Sequence, residues 1–78
     1  MKLMEGDVFR LSERRQAYVL GDFESIWLAE GAPTTVVRVL GDQAAPSGYE
    51  LEVFVRERCR HALLTVHTHE ISESLRGP

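Results

Sequence analysis

Apolar and polar side chains alternate in steps of two over much of the second half of the chain. Residues 49–56 read Tyr-Glu-Leu-Glu-Val-Phe-Val-Arg, with an apolar side chain at every second position. Successive side chains of a strand point to opposite faces, so this alternation is typical of an antiparallel strand with one buried face. Residues 34–40 are dense in β-branched side chains, which predicts a second strand.

Shorter apolar segments predict three more strands. Residues 7–11 place Phe9 and Leu11 on one face, residues 62–66 form a compact apolar run, and residues 71–73 read as a last short strand. Glycine, proline or charged residues between them predict a loop over residues 41–48, a hairpin connection over 57–61 and a tight turn over 68–70. Five short strands predict an all-β fold, and closure into a small barrel would remove exposed strand edges.

In residues 12–31, apolar side chains recur with neither the period of a strand nor that of a helix. Ser12 is a suitable N-cap for a helical turn, Gly21 indicates a turn, and residues 25–29 could form a short strand. We interpret this segment as one long, partly structured first loop that lies outside the barrel. Long loops are often functional, so the segment is a candidate docking lip.

The chain length of 78 residues predicts a single domain over residues 1–78. The strand pattern places its core at about residues 6–73 and leaves a short C-terminal tail at 74–78. A domain of this size buries only about 60% of its unfolded surface, so the core is expected to be thin.

The order of these patterns matches four motifs along nearly the whole chain. They are Gly6-Asp7-x-Phe9-x-Leu11, then Thr35-Val36-Val37-x-Val39, then Tyr49-Glu50-Leu51-Glu52-Val53-Phe54, then Leu63-Leu64-Thr65-Val66 with Ile71 five residues on. This order resembles a bacterial family of uncharacterised small SH3-like barrel domains. The resemblance implies a five-stranded SH3-like barrel with a long first loop. It also implies an accessory or antidote-type (antitoxin-like) protein that binds a partner protein.

The charge of the chain bears on whether its partner is a nucleic acid. The formal net charge is −3, which opposes phosphate and disfavours nucleic acid. The best basic set comprises Arg10, Arg14, Arg15 and Arg38; beside Tyr18 and Trp27 it could still stack on a single strand. A nucleic-acid-binding small barrel is therefore the first alternative.

The expected compartment is the cytoplasm. The single cysteine, Cys59, cannot form an internal disulfide, which fits a reducing environment. Neither a signal peptide nor about 18 consecutive apolar residues can be recognised, so no membrane association is expected.

A metal-dependent module is the second alternative. Cys59, His61, His67 and His69 are all at odd positions, so on a strand they would share one face, and sulfur and imidazole are zinc ligands. A flat strand face rarely closes a tetrahedron, so no metal or cofactor is expected. No catalytic residues are expected either, because no group is recognisable that would orient a Cys–His pair.

The leading hypothesis is a non-enzymatic protein-binding module that regulates or neutralises its partner. Exposed aromatic side chains are enriched in the energetic centres of interfaces. The long first loop supplies three apolar anchors and a charged rim. The anchors are Tyr18, Phe23 and Trp27, and the rim consists of Arg14, Arg15 and Glu24.

Overall fold

The computed structural model describes residues 3–21 and 24–77 and has an all-β architecture, as predicted. Its strands are β1 (Val8–Leu11), β2 (Arg15–Val19), β3 (Ser25–Leu28), β4 (Pro33–Asp42), β5 (Ala45–Val55), β6 (Arg60–His67) and β7 (Leu75–Arg76). Two 3-10 turns, Arg56–Arg58 and Thr68–Glu70, flank β6, and one short helix, α1 (Ile71–Ser74), precedes β7.

All described strands belong to one antiparallel sheet in the order β3-β2-β6-β5-β4-β1-β7. In a flat sheet, β1 and β2 would lie four strand spacings apart, about 19 Å. The chain joins Leu11 to Arg15 in four residue steps, which span at most about 14 Å. The sheet must therefore curl, and it forms a half-barrel around its core.

The segment of residues 12–31 is largely a β-hairpin, where we predicted a partly structured loop. Strands β2 and β3 pair with each other, and β2 also pairs with β6 through Tyr18 opposite Leu63. Ala17 and Val19 are buried on the inner face, which explains why this short alternating segment joins the sheet. Ser12 does not begin a helical turn; its N–H donates to the Ser74 carbonyl at 2.8 Å.

The predicted loop over residues 41–48 is mostly strand. Strands β4 and β5 continue to Asp42 and Ala45, so only two residues form the turn. Asp42 Oδ1 accepts a hydrogen bond from the Ala44 N–H at 2.9 Å, an interaction typical of an aspartate turn. Gly41, at φ 80°, lies beside an irregularity in the β4–β5 ladder. This irregularity allows a segment rich in turn-forming residues to be part of a long hairpin.

The C-terminal segment differs from the predicted short strand and tail. Residues 71–74 form a helical turn, and β7 pairs with β1 through Leu11 opposite Leu75. One helical turn places Ile71 and Leu75, four residues apart, so that both are buried. With the β2–β3 hairpin, this gives seven strands in the described residues, where the sequence predicted five.

The core lies inside the curl. The inner faces of all seven strands contribute, and the buried apolar residues are Leu3, Leu11, Ala17, Val19, Leu28, Val36, Tyr49, Leu51, Val53, Ala62, Leu64, Val66, Ile71 and Leu75. The phenol oxygen of Tyr49 accepts a hydrogen bond from the Leu3 N–H at 3.3 Å, so this buried hydroxyl has a partner. The convex side of the sheet faces away from this core and is called the outer face below.

Candidate protein-binding face

The β2–β3 hairpin presents two large aromatic side chains on the outer face. Tyr18 is 69% exposed and Trp27 is 58% exposed. They share a face because Gln16 lies opposite Trp27 and Tyr18 opposite Ser25, while Ala17 and Ile26 point to the inner side. Phe23, the third predicted anchor, lies outside the described residues.

The central strands extend this apolar surface. Leu63 of β6 lies directly opposite Tyr18 and is half-buried. On β5, Phe54 is 53% exposed and lies opposite His61, with the two rings edge-to-face at 5.1 Å between centroids. Sequence reasoning missed Phe54 and Leu63 as site residues. The available signal was the run Val53-Phe54-Val55, where an aromatic side chain occupies a position that alternation assigns to the solvent side.

A groove adjoins two of these aromatic residues from the inner side of the curled sheet. It has a volume of about 670 Å³ and lies between β3 and the end of β5. Trp27 and Phe54 both line it, together with the inner-face residues Ile26, Val53 and Val55. Because Ile26 and Val55 are only partly buried, apolar core side chains reach the surface here.

The three predicted rim residues occupy different environments. The Arg14 guanidinium carbon lies 4.2 Å from the centroid of the Trp27 ring, so Arg14 flanks one of the predicted anchors. Glu24, just before β3, pairs with both terminal nitrogens of Arg58. The hydrogen bonds from Arg58 lower the pKa of Glu24.

The third rim residue, Arg15, turns away from the outer face. It lies in strand phase with the buried Ala17, and its two terminal nitrogens donate to Ser74 Oγ at 2.8 Å and to the Thr65 carbonyl at 3.2 Å. It also pairs with Glu70 Oε1 at 3.4 Å. Arg15 therefore ties the hairpin to the C-terminal segment. It does not frame the aromatic anchors.

Glu70 joins Arg15 and Ser74 in a network of polar side chains that is called the polar clasp below. Its Oε1 accepts a hydrogen bond from the His67 backbone N–H at 2.9 Å. That hydrogen bond, reinforced by the neighbouring Arg15 guanidinium, lowers the pKa of Glu70. The clasp thus stabilises a charged carboxylate beside α1.

Two carboxylates stand in the middle of the outer face. Glu52 Oε1 lies 3.6 Å from His61 Nε2, and Glu50 lies opposite Thr65 in the adjacent strand. Glu50 borders a hollow of about 410 Å³ that Tyr18 and Leu63 also line. Negative charge is therefore embedded between aromatic and apolar side chains.

The four candidate metal ligands do not come together. Cys59 and His61 lie at the beginning of β6, and His67 and His69 lie at its end, where their rings stack at 5.8 Å between centroids. His61 and His67 are six strand residues apart, about 20 Å at 3.3 Å per residue. One metal ion cannot contact both pairs, and residues 3–21 and 24–77 contain no group of three or more potential ligands arranged for a metal.

The basic set is dispersed. Arg10 donates to the Gly31 carbonyl at 2.8 Å, Arg14 stacks on Trp27, and Arg15 points to Ser74. Arg38 lies in β4 opposite Glu50. The four side chains have four different local environments and do not form one continuous basic patch.

Comparison of the chain with protein-family models, with curated proteins and with solved structures finds no match in any of the three. Within the described ranges, no helix has the length and apolar character needed to cross a membrane.

Proposed function

We propose that this chain is a non-enzymatic protein-binding module whose outer face docks on a partner protein and regulates or neutralises it. The observation that carries the proposal is the exposure of Tyr18, Trp27 and Phe54 on the same side of one sheet. Large exposed aromatic side chains are costly in water and are enriched at binding hot spots. The half-buried Leu63 between Tyr18 and the carboxylates makes the surface continuous.

We also propose that the half-barrel is an elaborated SH3-like barrel. Five of its strands adjoin in the order β7-β1-β4-β5-β6, and a 3-10 turn precedes the last strand in sequence. This strand order supports the SH3-like interpretation. In this interpretation, the β2–β3 hairpin is the long first loop, and its aromatic side chains border the partner site.

The test is affinity capture with the intact chain, quantified by mass spectrometry. Trp27→Ala and Tyr18→Ala should each reduce recovery of the specific partner at least about tenfold, because they remove anchors worth about 2 kcal/mol or more. Met4→Ala is the matched control, since Met4 is 65% exposed and borders a different hollow, together with Leu3 and Val39. Equal recovery with wild type, Trp27→Ala and Met4→Ala would contradict the proposal.

Nucleic acid is the second candidate, and the specific observation in its favour is the Arg14 guanidinium beside the Trp27 ring. A cation next to an exposed aromatic ring is a common feature of single-strand binding. Glu50 and Glu52 on the same face oppose phosphate, which makes this the weaker proposal. A shift of a single-stranded oligonucleotide at low salt that disappears with rising salt would support it.

A further inference from the structure

We infer that the partner surface recognised by the outer face is basic and places an arginine or lysine side chain over Tyr18 and Leu63, with its charge at Glu50 and Glu52. This inference rests on the proposed protein-binding function and specifies the chemistry of the partner. It is carried by the position of two carboxylates among exposed apolar side chains on a sheet face that no described element covers.

The two carboxylates belong to the same strand. Glu50 and Glu52 are two residues apart in β5, so they project from the same face. Strand β5 lies between β4 and β6, so the charges stand near the middle of the face and not at its rim. Both residues are half-buried, because neighbouring side chains limit their access to water.

Within the part of the chain that the structure describes, no permanent cation neutralises the charge of these two carboxylates. In residues 3–21 and 24–77, no basic nitrogen lies within ion-pair distance of the Glu50 carboxylate. Arg38 lies opposite Glu50 in the β4–β5 ladder, but its guanidinium is beyond that distance. Glu52 is paired with His61 at 3.6 Å, and a histidine carries charge only when protonated. Two partly desolvated carboxylates therefore favour a cation supplied from outside.

The surrounding side chains suit the stem of a long basic residue. Tyr18 and Leu63 lie side by side across β2 and β6, and Leu63 is directly opposite Glu52 on the next strand. Arginine and lysine bury their methylene stems on apolar surface while keeping the charged end in a polar environment. The exposed Tyr18 ring also offers a face for a cation–π contact.

Charge decides between the possible occupants. Phosphate would meet Glu50 and Glu52 without compensation, which disfavours nucleic acid on this part of the face. A two-fold symmetric contact between copies would bring the same carboxylates against their own equivalents, in a chain whose formal net charge is already −3. A basic protein surface is the occupant whose charge complements the face.

The test uses isothermal titration calorimetry with a defined probe, a capped six-residue peptide of alternating arginine and leucine, at low ionic strength. Wild type should bind this peptide and should not bind the corresponding glutamate–leucine peptide. Glu50→Gln/Glu52→Gln should weaken binding at least about tenfold, because it removes both charges and preserves side-chain size. Glu5→Gln/Glu73→Gln is the matched control; it changes net charge equally at exposed positions before β1 and in α1, outside the strands of the proposed site, and should weaken binding less than about twofold.

Three outcomes would overturn the inference: no binding of the basic peptide to wild type, equal weakening by the two double variants, or binding of the acidic peptide instead. If Glu50→Gln/Glu52→Gln lowers the thermal midpoint, Glu50→Gln alone replaces it, since Glu50 makes no ion pair within the described residues. The two proposals separate in the capture assay. If Trp27→Ala loses the partner and Glu50→Gln/Glu52→Gln retains it, the protein-binding function stands and the basic partner is wrong.

Discussion

Arg15 illustrates how one side chain can have a structural role although its residue type suggested a surface role. Its guanidinium joins β2 to β6 through the Thr65 carbonyl and to α1 through Ser74 Oγ. Ser74 is only 1% exposed, so its hydroxyl depends on Arg15 as a hydrogen-bond partner. A buried polar group that loses its partner costs about 1–3 kcal/mol.

We therefore expect Arg15→Ala to reduce the free energy of unfolding by about 1–3 kcal/mol. Urea unfolding followed by circular dichroism measures this change. Arg14→Ala is the control: it removes the same type of side chain from the adjacent exposed position and should cost less than about 1 kcal/mol, the usual limit for an exposed cation–π contact. Similar destabilisation by both variants would show that the clasp contributes nothing beyond a surface charge.

Glu70 should make the stability of the clasp depend on pH. The His67 N–H and Arg15 hold the pKa of Glu70 below its usual 4.5 in the folded protein. A carboxyl whose folded pKa is lowered adds stability above its unfolded pKa, and this contribution is lost as pH falls through the folded pKa. Wild type should therefore lose stability on acidification below about pH 4.5.

The comparison is between urea midpoints of wild type and Glu70→Gln from pH 7 to pH 3. The stability advantage of wild type over Glu70→Gln should be constant at neutral pH and should shrink on acidification. Other carboxylates titrate in both proteins, so the difference between them isolates Glu70. An advantage that stays constant to pH 3 would contradict the assigned role of the His67 hydrogen bond.

At the scale of elements, β3 is an edge strand whose hydrogen-bonding phase can be read from one contact. The Val19 N–H donates to the Glu24 carbonyl at 2.9 Å, which makes residues 19 and 24 a hydrogen-bonded pair. Hydrogen-bonded pairs alternate along an antiparallel ladder, so Ile26 bonds to Ala17 while the backbone groups of Ser25 and Trp27 point to the free edge. A proline at residue 26 would therefore remove a hydrogen bond to β2, whereas a proline at residue 25 would remove only an N–H that faces the free edge.

Ile26→Pro should destabilise the protein by about 1–3 kcal/mol more than Ser25→Pro, because it leaves the Ala17 carbonyl without its donor. Ser25→Pro removes only an N–H that faces the open edge, where proline is tolerated. Thermal unfolding followed by circular dichroism gives both values. Equal losses would mean that the phase of the β2–β3 ladder is wrong.

At the scale of the whole molecule, the curl of the sheet determines what can be a binding face. Curling buries the inner side of all seven described strands and leaves the outer side of β2, β3, β5 and β6 as one convex surface. Two connections require this shape, because β1 to β2 and β3 to β4 both cross the sheet with a few residues. The aromatic anchors thus come from an early hairpin, and the carboxylates beside them come from a strand more than twenty residues later.

Strands with an unambiguous side-chain period could be predicted from the amino-acid sequence alone. Alternation over 49–56 and the β-branched run over 34–40 indicate β5 and β4, since a period of two reports strand geometry without knowledge of any neighbour. Composition was less informative where glycine and proline sit inside a long hairpin, as in 41–48. It also failed at 71–74, where burial of both Ile71 and Leu75 favours one helical turn.

Which strands are neighbours, and therefore which residues make up the candidate face, is known only from the folded chain. Pairing of β2 with β6 brings Tyr18 to Leu63, directs Arg15 inward and leaves the two histidine pairs at opposite ends of β6. Alternation of apolar and polar side chains shows which residues share one side of a strand. It does not show which strand lies next to it, because strand pairing depends on contacts between residues far apart in the sequence that together bury the apolar side of the sheet.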